Sequence, residues 1–257
     1  EVNITVTNTN GAALGVYVTN ADLDITAGTL NIDAHGATGV YGISAFNSTV
    51  DIDAGVVDIK ATSDNGYVNG IMSSNSTVDI TGRDVTVDAK AENMAVGLFT
   101  QVDGDITIDA TGAVDINALS TSSNSAAYAM NGTGGTVNVK GDTVTLDARS
   151  DNLAHAIING NTTANLEAKG NMSLTAINGD KSSTVSIASG ITTSGKSVTD
   201  LKAGGTIEII AHSDAGRARG IELDDSKLTS KSDSLLIDAS GGVETLGIRA
   251  VGSTLDM

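Results

Sequence analysis

Asp24, Asp51 and Asp79 occupy the same place in three similar segments, LDI at 23–25, VDI at 50–52 and VDI at 78–80. If those segments stack, the three carboxylates form a column about 5 Å apart. Like charges at that spacing repel, and a hard cation such as calcium, which takes carboxylate and carbonyl oxygens, would relieve them. The sequence thus nominates Asp24, Asp51 and Asp79 as a calcium column, and no other cofactor; the alternative is a solvated acidic stripe that keeps the surface soluble. Corresponding positions further on are Thr107, Asn138 and Asn165, so the column ends after three levels. A second acidic row, Asp33, Asp88, Asp147 and Asp238, is interrupted by Lys60, Asn117 and Thr175. Lys60 between Asp33 and Asp88 suits charge compensation between neighbouring strands.

Other residues that could do chemistry are dispersed. His35, His155 and His212 fall in different segments and make no zinc-type cluster. Ser and Asp are so frequent that a Ser, His, Asp set discriminates nothing, and no nucleophile elbow is present. Polysaccharide cleavage needs convergent carboxylates and platforms for sugar rings. The chain has only six aromatics, Phe46, Phe99, Tyr17, Tyr41, Tyr67 and Tyr128, of which Tyr17 and Tyr41 are expected to stack across adjacent repeats. Arg217 and Arg219 stand two apart beside Glu222 and Asp224, the arrangement of a local salt bridge. Thr runs such as ITVT at 4–7 and TVTL at 143–146 do not recur in every repeat, which sets aside a flat ice-binding array. Asn47-Ser-Thr, Asn75-Ser-Thr, Asn131-Gly-Thr and Asn161-Thr-Thr match the glycosylation acceptor pattern, a pattern that polar turns also generate. The expectation is a protein that is not an enzyme, with no catalytic residue to name.

Composition narrows the partners. With 14 Lys and Arg against 31 Asp and Glu, the net charge is −17, which opposes binding to nucleic acid phosphates and to an anionic membrane surface. Pro, Cys and Trp are absent while Gly numbers 30, so neither disulfides nor thiolate metal sites contribute. A core of Val, Ile, Leu, Ala and Met with few aromatics points to narrow, regular layers. No apolar run approaches the roughly 18 residues of a membrane span. The opening EVNITVTNTN lacks a signal peptide's basic start and apolar stretch, as expected of a segment excised from a longer parent, and this bears in neither direction on whether that parent is exported.

The elements that would position these residues are repeats. An apolar–x–apolar–x–Ala strand closes at Ala34, Ala61, Ala89, Ala118, Ala148, Ala176, Ala211 and Ala239, with spacings of 27, 28, 29, 30, 28, 35 and 28. A second alternating strand precedes it, as in VDI at 50–52 and VNV at 137–139, often across a Gly turn. A third pairs a small residue with an aliphatic one: Gly42 with Ile43, Gly70 with Ile71, Gly97 with Leu98, Ala129 with Met130, Ala156 with Ile157. Period-two alternation with β-branched residues is the signature of half-buried strands, and a unit this small buries its apolar face only by stacking on the next. The fold expected is therefore all-β: a right-handed, single-stranded parallel β-helix (solenoid), three strands per coil, about nine coils of ~28 residues, forming one domain over residues 1–257.

Two features are left open. Tyr41, Asn69, Val96, Tyr128, His155 and Arg219 lie two before the aliphatic residue of the third strand; either the chain bends at the Gly or Ala, or that face is partly polar. The long spacing between Ala176 and Ala211 is read as one coil with a looped turn around Gly190 to Lys196, and TSSNS at 121–125 as a turn lengthened by about four residues. Loops projecting from a rigid scaffold are where binding concentrates.

The repeats GISAFNSTVDIDAGVVDIKATSDN and GYVNGIMSSNSTVDITGRDVTVDAKAEN resemble the passenger regions of bacterial autotransporter (type V secreted) adhesins, over nearly the whole chain and in repeat style, acidity and lack of cysteine. That resemblance implies an extracellular rod on the surface of a Gram-negative-type bacterium, anchored to the outer membrane through its parent. Attachment to a host, matrix or sibling-cell protein or glycan, aggregation, biofilm formation and virulence come with it, as does homotypic self-association. The alternatives are an inert stalk that displays a distal binding domain and, behind it, a polysaccharide-processing enzyme. The three differ in whether the segment itself binds or turns over anything.

Overall fold

A computed structural model describes residues 1–179 and 183–257, and within them the chain forms 24 β-strands and no helix. The ladders are parallel, with partners 27 to 35 residues apart, so each strand pairs with its counterpart one coil away. One sheet contributes a single strand per coil: Ala13–Thr19, Val40–Phe46, Tyr67–Ser74, Met94–Gln101, Ala126–Thr133, Leu153–Gly160, Ile187–Ser194, Arg217–Asp224 and Glu244–Val251. Nine such strands define nine coils, a stack of about 43 Å at ~4.8 Å per strand. The other two strands of each coil join a fifteen-stranded sheet. They run on as one 15-residue strand in Asp22–Gly36, Thr49–Ser63 and Thr77–Ala91, and separate from Asp105–Ala110 and Ala113–Ser120 onward. The parallel β-solenoid legible in the repeats is the observed architecture.

Alternation explains the interior. Ile32, Ile59, Val87, Ile116, Leu146, Leu174 and Ile209 pair in register through successive coils, and none is more than 1 % exposed. Each buried aliphatic side chain contributes about 1.5–3 kcal/mol, repeated at every level. In the terminal coils the inward residues, such as Ile4, Ile25 and Ile237, are only partly buried.

The question of the third strand's parity resolves as a bend at the small residue. Val40, Ile43 and Ala45 are fully buried while Tyr41 and Phe46 are partly exposed, so the inward phase jumps by three across Tyr41-Gly42. Residues on either side pair normally, Tyr41 with Asn69 and Ile43 with Ile71. Tyr41, Asn69 and Val96 therefore line the outer face. Val96 and Met72 are buried there, yet both stand apart from the core cluster.

The loop lengths differ from expectation. Leu153 pairs with Ile187, 34 residues on, whereas Ala126 pairs with Leu153, 27 on. Most of the extra length thus lies at residues 179–186, before the Ile187 strand, and Asp180, Lys181 and Ser182 lie outside the described residues. Gly190 sits inside a regular strand; only the turn at Gly195, with φ of 66°, adds one residue near the predicted place. The pairing of Met94 with Ala126, 32 apart, following Ala91 with Ser120, 29 apart, gives the TSSNS turn three extra residues.

One corner of each coil turns through a left-handed residue: Asn20, Asn47, Asn75, Val102, Asn161 and Asp225 have φ between 47° and 56°, and glycine serves in the other coils. Asn and Asp tolerate that region better than other side-bearing residues. Asn75 Nδ2 donates to Asn47 Oδ1 at 2.7 Å, and the hydroxyls of Ser48, Ser76 and Thr162 donate back to the carbonyls of Phe46, Ser74 and Gly160. Three of the four glycosylation-like motifs are therefore corner turns, in which Asn takes the left-handed φ and the following Ser or Thr closes the turn. Asn131 of the fourth lies within a strand.

Candidate functional site

The acidic column forms in register. Asp24 pairs with Asp51, Asp51 with Asp79 and Asp79 with Thr107, on the outer face of the fifteen-stranded sheet. They border a shallow groove of about 420 Å3 shared with Asp53. Desolvation, then repulsion from Asp79, Asp24 and Asp22, raises the Asp51 carboxyl above its ordinary value. Among the described residues no group of three or more His, Asp or Glu side chains has a geometry that could hold a metal ion. A straight column presents its carboxylates side by side; coordination needs them to converge.

Lys60 lies between Asp33 and Asp88 as expected, but its ammonium pairs at 2.8 Å with Asp58 two residues back on its own strand. That contact contributes most to raising the Lys60 pKa, with Asp88 and Asp33 adding less. Tyr17 and Tyr41 do not stack on each other. Tyr17 is in register with Ser44 and Tyr41 with Leu14, so they belong to different columns. Tyr17 tilts against Phe46 at 5.9 Å, and Tyr41 meets Tyr67 edge-on, the two hydroxyls 3.0 Å apart. Arg219 bonds to Glu222 as the sequence suggests, and the pair extends into a network in which Arg249 contacts Glu222 at 2.9 Å and Arg217 contacts Glu244 at 3.3 Å. Of the histidines, His35 bonds to Asp64 and His212 to Asp214 at the surface. His155 is buried, 3.2 Å from the Thr192 hydroxyl and 5.6 Å from the Tyr128 ring.

These contacts converge on a feature that a residue-by-residue search misses. The first seven strands of the nine-stranded sheet, Ala13–Thr19 through Ile187–Ser194, contain none of the chain's 45 Asp, Glu, Lys and Arg residues. All six aromatics lie in five of those strands. Period-two alternation around the bend turns Tyr17, Tyr41, Tyr67, Phe99 and Tyr128 outward, where Tyr67 is 42 % and Tyr17 52 % exposed. The face closes at its far end with Arg217, Arg219, Glu222, Glu244 and Arg249. Six aromatics spread over 257 residues are sparse; gathered on one sheet they make an uncharged, ring-bearing surface on an otherwise acidic rod. The signal was in the sequence, as the absence of charge from seven successive third segments. Chemically the face can dock neutral matter through apolar and ring contacts. Neither a protein family, nor a curated protein, nor a solved structure matches the chain.

Proposed function

We propose that the chain is a segment of a bacterial surface adhesin of the autotransporter passenger type, a rigid rod that attaches its parent cell to host, matrix or sibling cells. The observation that carries this reading is the uncharged face along seven consecutive coils, the first five of which bear aromatic rings. An outward face that carries rings and no charge across several coils is unusual on a soluble protein unless something docks there, and a charge of −17 keeps the remaining surface from nonspecific adhesion. Contacts repeated at every coil add up along the rod in the way multivalent attachment does. The role is non-catalytic and needs no cofactor, and the place of action is the extracellular side of the outer membrane.

The test is attachment by the face itself. Beads carrying the chain are expected to bind matrix proteins, host cells or chain-coated beads, and Tyr17→Glu with Tyr67→Glu to reduce binding at least fivefold at unchanged thermal stability. Wild-type beads that bind none of the three would sink the adhesin reading and leave the stalk.

A further inference from the structure

Tyr67 opens its strand, one residue before Val68, and Val68 pairs with Val40 of the preceding coil. The Tyr67 ring leans back over that coil, where a Cβ on Gly39 would lie 2.8 Å from both Cζ and the hydroxyl oxygen of Tyr67. Glycine thus leaves the room that the phenol occupies. The ring meets Tyr41 edge-on with centroids 5.9 Å apart, a favoured aromatic geometry, and Tyr41 donates its hydroxyl hydrogen to the Tyr67 oxygen at 3.0 Å. The two residues are 26 apart in sequence and belong to successive coils. Among the described residues no other phenols meet: Tyr17 lies against Phe46 and Tyr128 against His155.

We propose that Tyr41 and Tyr67 form a site of oxidative cross-linking, where an intramolecular dityrosine bond ties the second coil of the nine-stranded sheet to the third. A one-electron oxidant, such as a haem peroxidase fed with hydrogen peroxide, takes the hydroxyl hydrogen of each phenol as a proton and an electron. The unpaired electron of each phenoxyl radical spreads to the ring carbons beside the hydroxyl, and the radicals join through a Cε–Cε bond. The hydrogen on each joined Cε then moves to the oxygen and restores the phenol. In balance, two hydrogens leave the protein and one peroxide becomes two waters. Each Cε is bonded to the carbon that bears the hydroxyl, so oxygens 3.0 Å apart bring two Cε atoms within a modest ring rotation of bonding. Rings held in this way couple with each other far faster than with a second molecule. Tyr67 is 42 % exposed and gives the oxidant access, while the hydrogen bond lets the Tyr41 hydrogen pass to the Tyr67 radical between the two one-electron steps. The chain has no cysteine and so no disulfide to tie its coils. A covalent bond across 26 residues restrains the unfolded chain as a disulfide would.

Limited oxidation of the purified chain by a haem peroxidase and hydrogen peroxide, followed by isolation of the monomer in denaturant, tests the site. The monomer is expected to show blue dityrosine fluorescence and, after proteolysis, a cross-linked peptide pair containing Tyr41 and Tyr67, lighter than its parts by two hydrogens. Tyr41→Phe and Tyr67→Phe keep the ring and lose the hydroxyl, and each should lower the monomer's fluorescence at least tenfold. Tyr17→Phe and Tyr128→Phe should leave it within twofold. Gly39→Ala keeps all four tyrosines and should lower it at least threefold, because the added methyl displaces the tip of the Tyr67 side chain. A wild-type monomer without dityrosine, a signal that survives Tyr67→Phe, a yield unchanged by Gly39→Ala, or a cross-linked peptide built on Tyr17 or Tyr128 would each overturn the proposal.

Discussion

Gly70 and Val87 face each other across the core so closely that a Cβ on Gly70 would lie 2.3 Å from Val87 Cγ1. The same relation joins Gly97 to Ile116 at 2.4 Å one coil later. At the next two levels the glycine gives way to Ala129 and Ala156, and there the column of Val87 and Ile116 carries Leu146 and Leu174. Leucine branches at Cγ, one atom further out, and has no methyl on Cβ to meet the alanine. Gly70→Ala should cost about 1–3 kcal/mol by overpacking, and adding Val87→Leu should recover part of it. Recovery is partial because the same Cβ would also stand 2.7 Å from the Gly97 carbonyl. A double-mutant cycle in urea should show a coupling above ~0.5 kcal/mol; strict additivity would refute the size match.

The coils were legible because each repeats the same alternation and the core row admits one phase only: shifting Ile52 or Ile59 by one residue would expose it. The acidic column followed from the same register. The aromatic face did not, because its evidence is a long-range one. Tyr17 and Tyr128 are 111 residues apart in sequence and share a sheet only through the intervening ladders. Pairings within the face, such as Tyr41 with Tyr67 in place of Tyr17, depend on which column each ring occupies, which the Gly bend alters. The longest insertion was misplaced because Gly190 and Gly195 look like turn residues, whereas Gly190 is the bend of a regular strand, with a Cβ there 2.3 Å from Ile209 Cγ2.

Ile52 is 2 % exposed and in register with Ile25 and Ile80 in the stacked core. Ile52→Asp would place a carboxylate among aliphatic side chains without a partner. The expected loss is about 4 kcal/mol or more, read as a large fall in the far-UV circular dichroism melting temperature. A variant that melts like wild type would show that the side chain does not point inward.

The raised pKa of Asp51 fixes the sign of its effect on stability. Since the folded state holds the Asp51 proton more tightly than the unfolded chain does, ionisation costs stability as pH rises through the carboxylate range, and the cost stays in place at neutral pH. Asp51→Asn should therefore stabilise the chain at pH 7 in EDTA and lose that advantage near pH 3. Millimolar calcium reversing the sign at pH 7 is the result that would restore the Asp24, Asp51, Asp79 column as an ion site.

Val102 occupies the corner position that Asn holds in four other coils, with φ of 56° and 60 % of its surface exposed. A β-branched residue pays about 1–2 kcal/mol for that conformation, and its exposed side chain gains little packing in return. Val102→Asn should stabilise by about 1 kcal/mol, measured by urea unfolding at pH 7. An unchanged or lowered midpoint would mean that the Gln101 to Gly104 turn does not carry the strain.

His155 links the aromatic face to pH. Burial, with a smaller contribution from the Arg219 charge, pushes its pKa down to about 4 from the ordinary 6.5 of an imidazole. The unfolded chain thus binds a proton that the folded chain refuses, and stability is full above pH 6.5 and falls as pH drops towards 4. Between pH 7 and 5, above the range where most carboxylates titrate, the loss should be roughly 1–2 kcal/mol. His155→Gln can still bond to Thr192, carries no titratable group, and should flatten that slope. Its readout is the difference in urea midpoint between the two pH values, for wild type and variant side by side. Equal slopes would show that the imidazole is hydrated in solution, and would open the packed strip between Tyr128 and Thr192 to water.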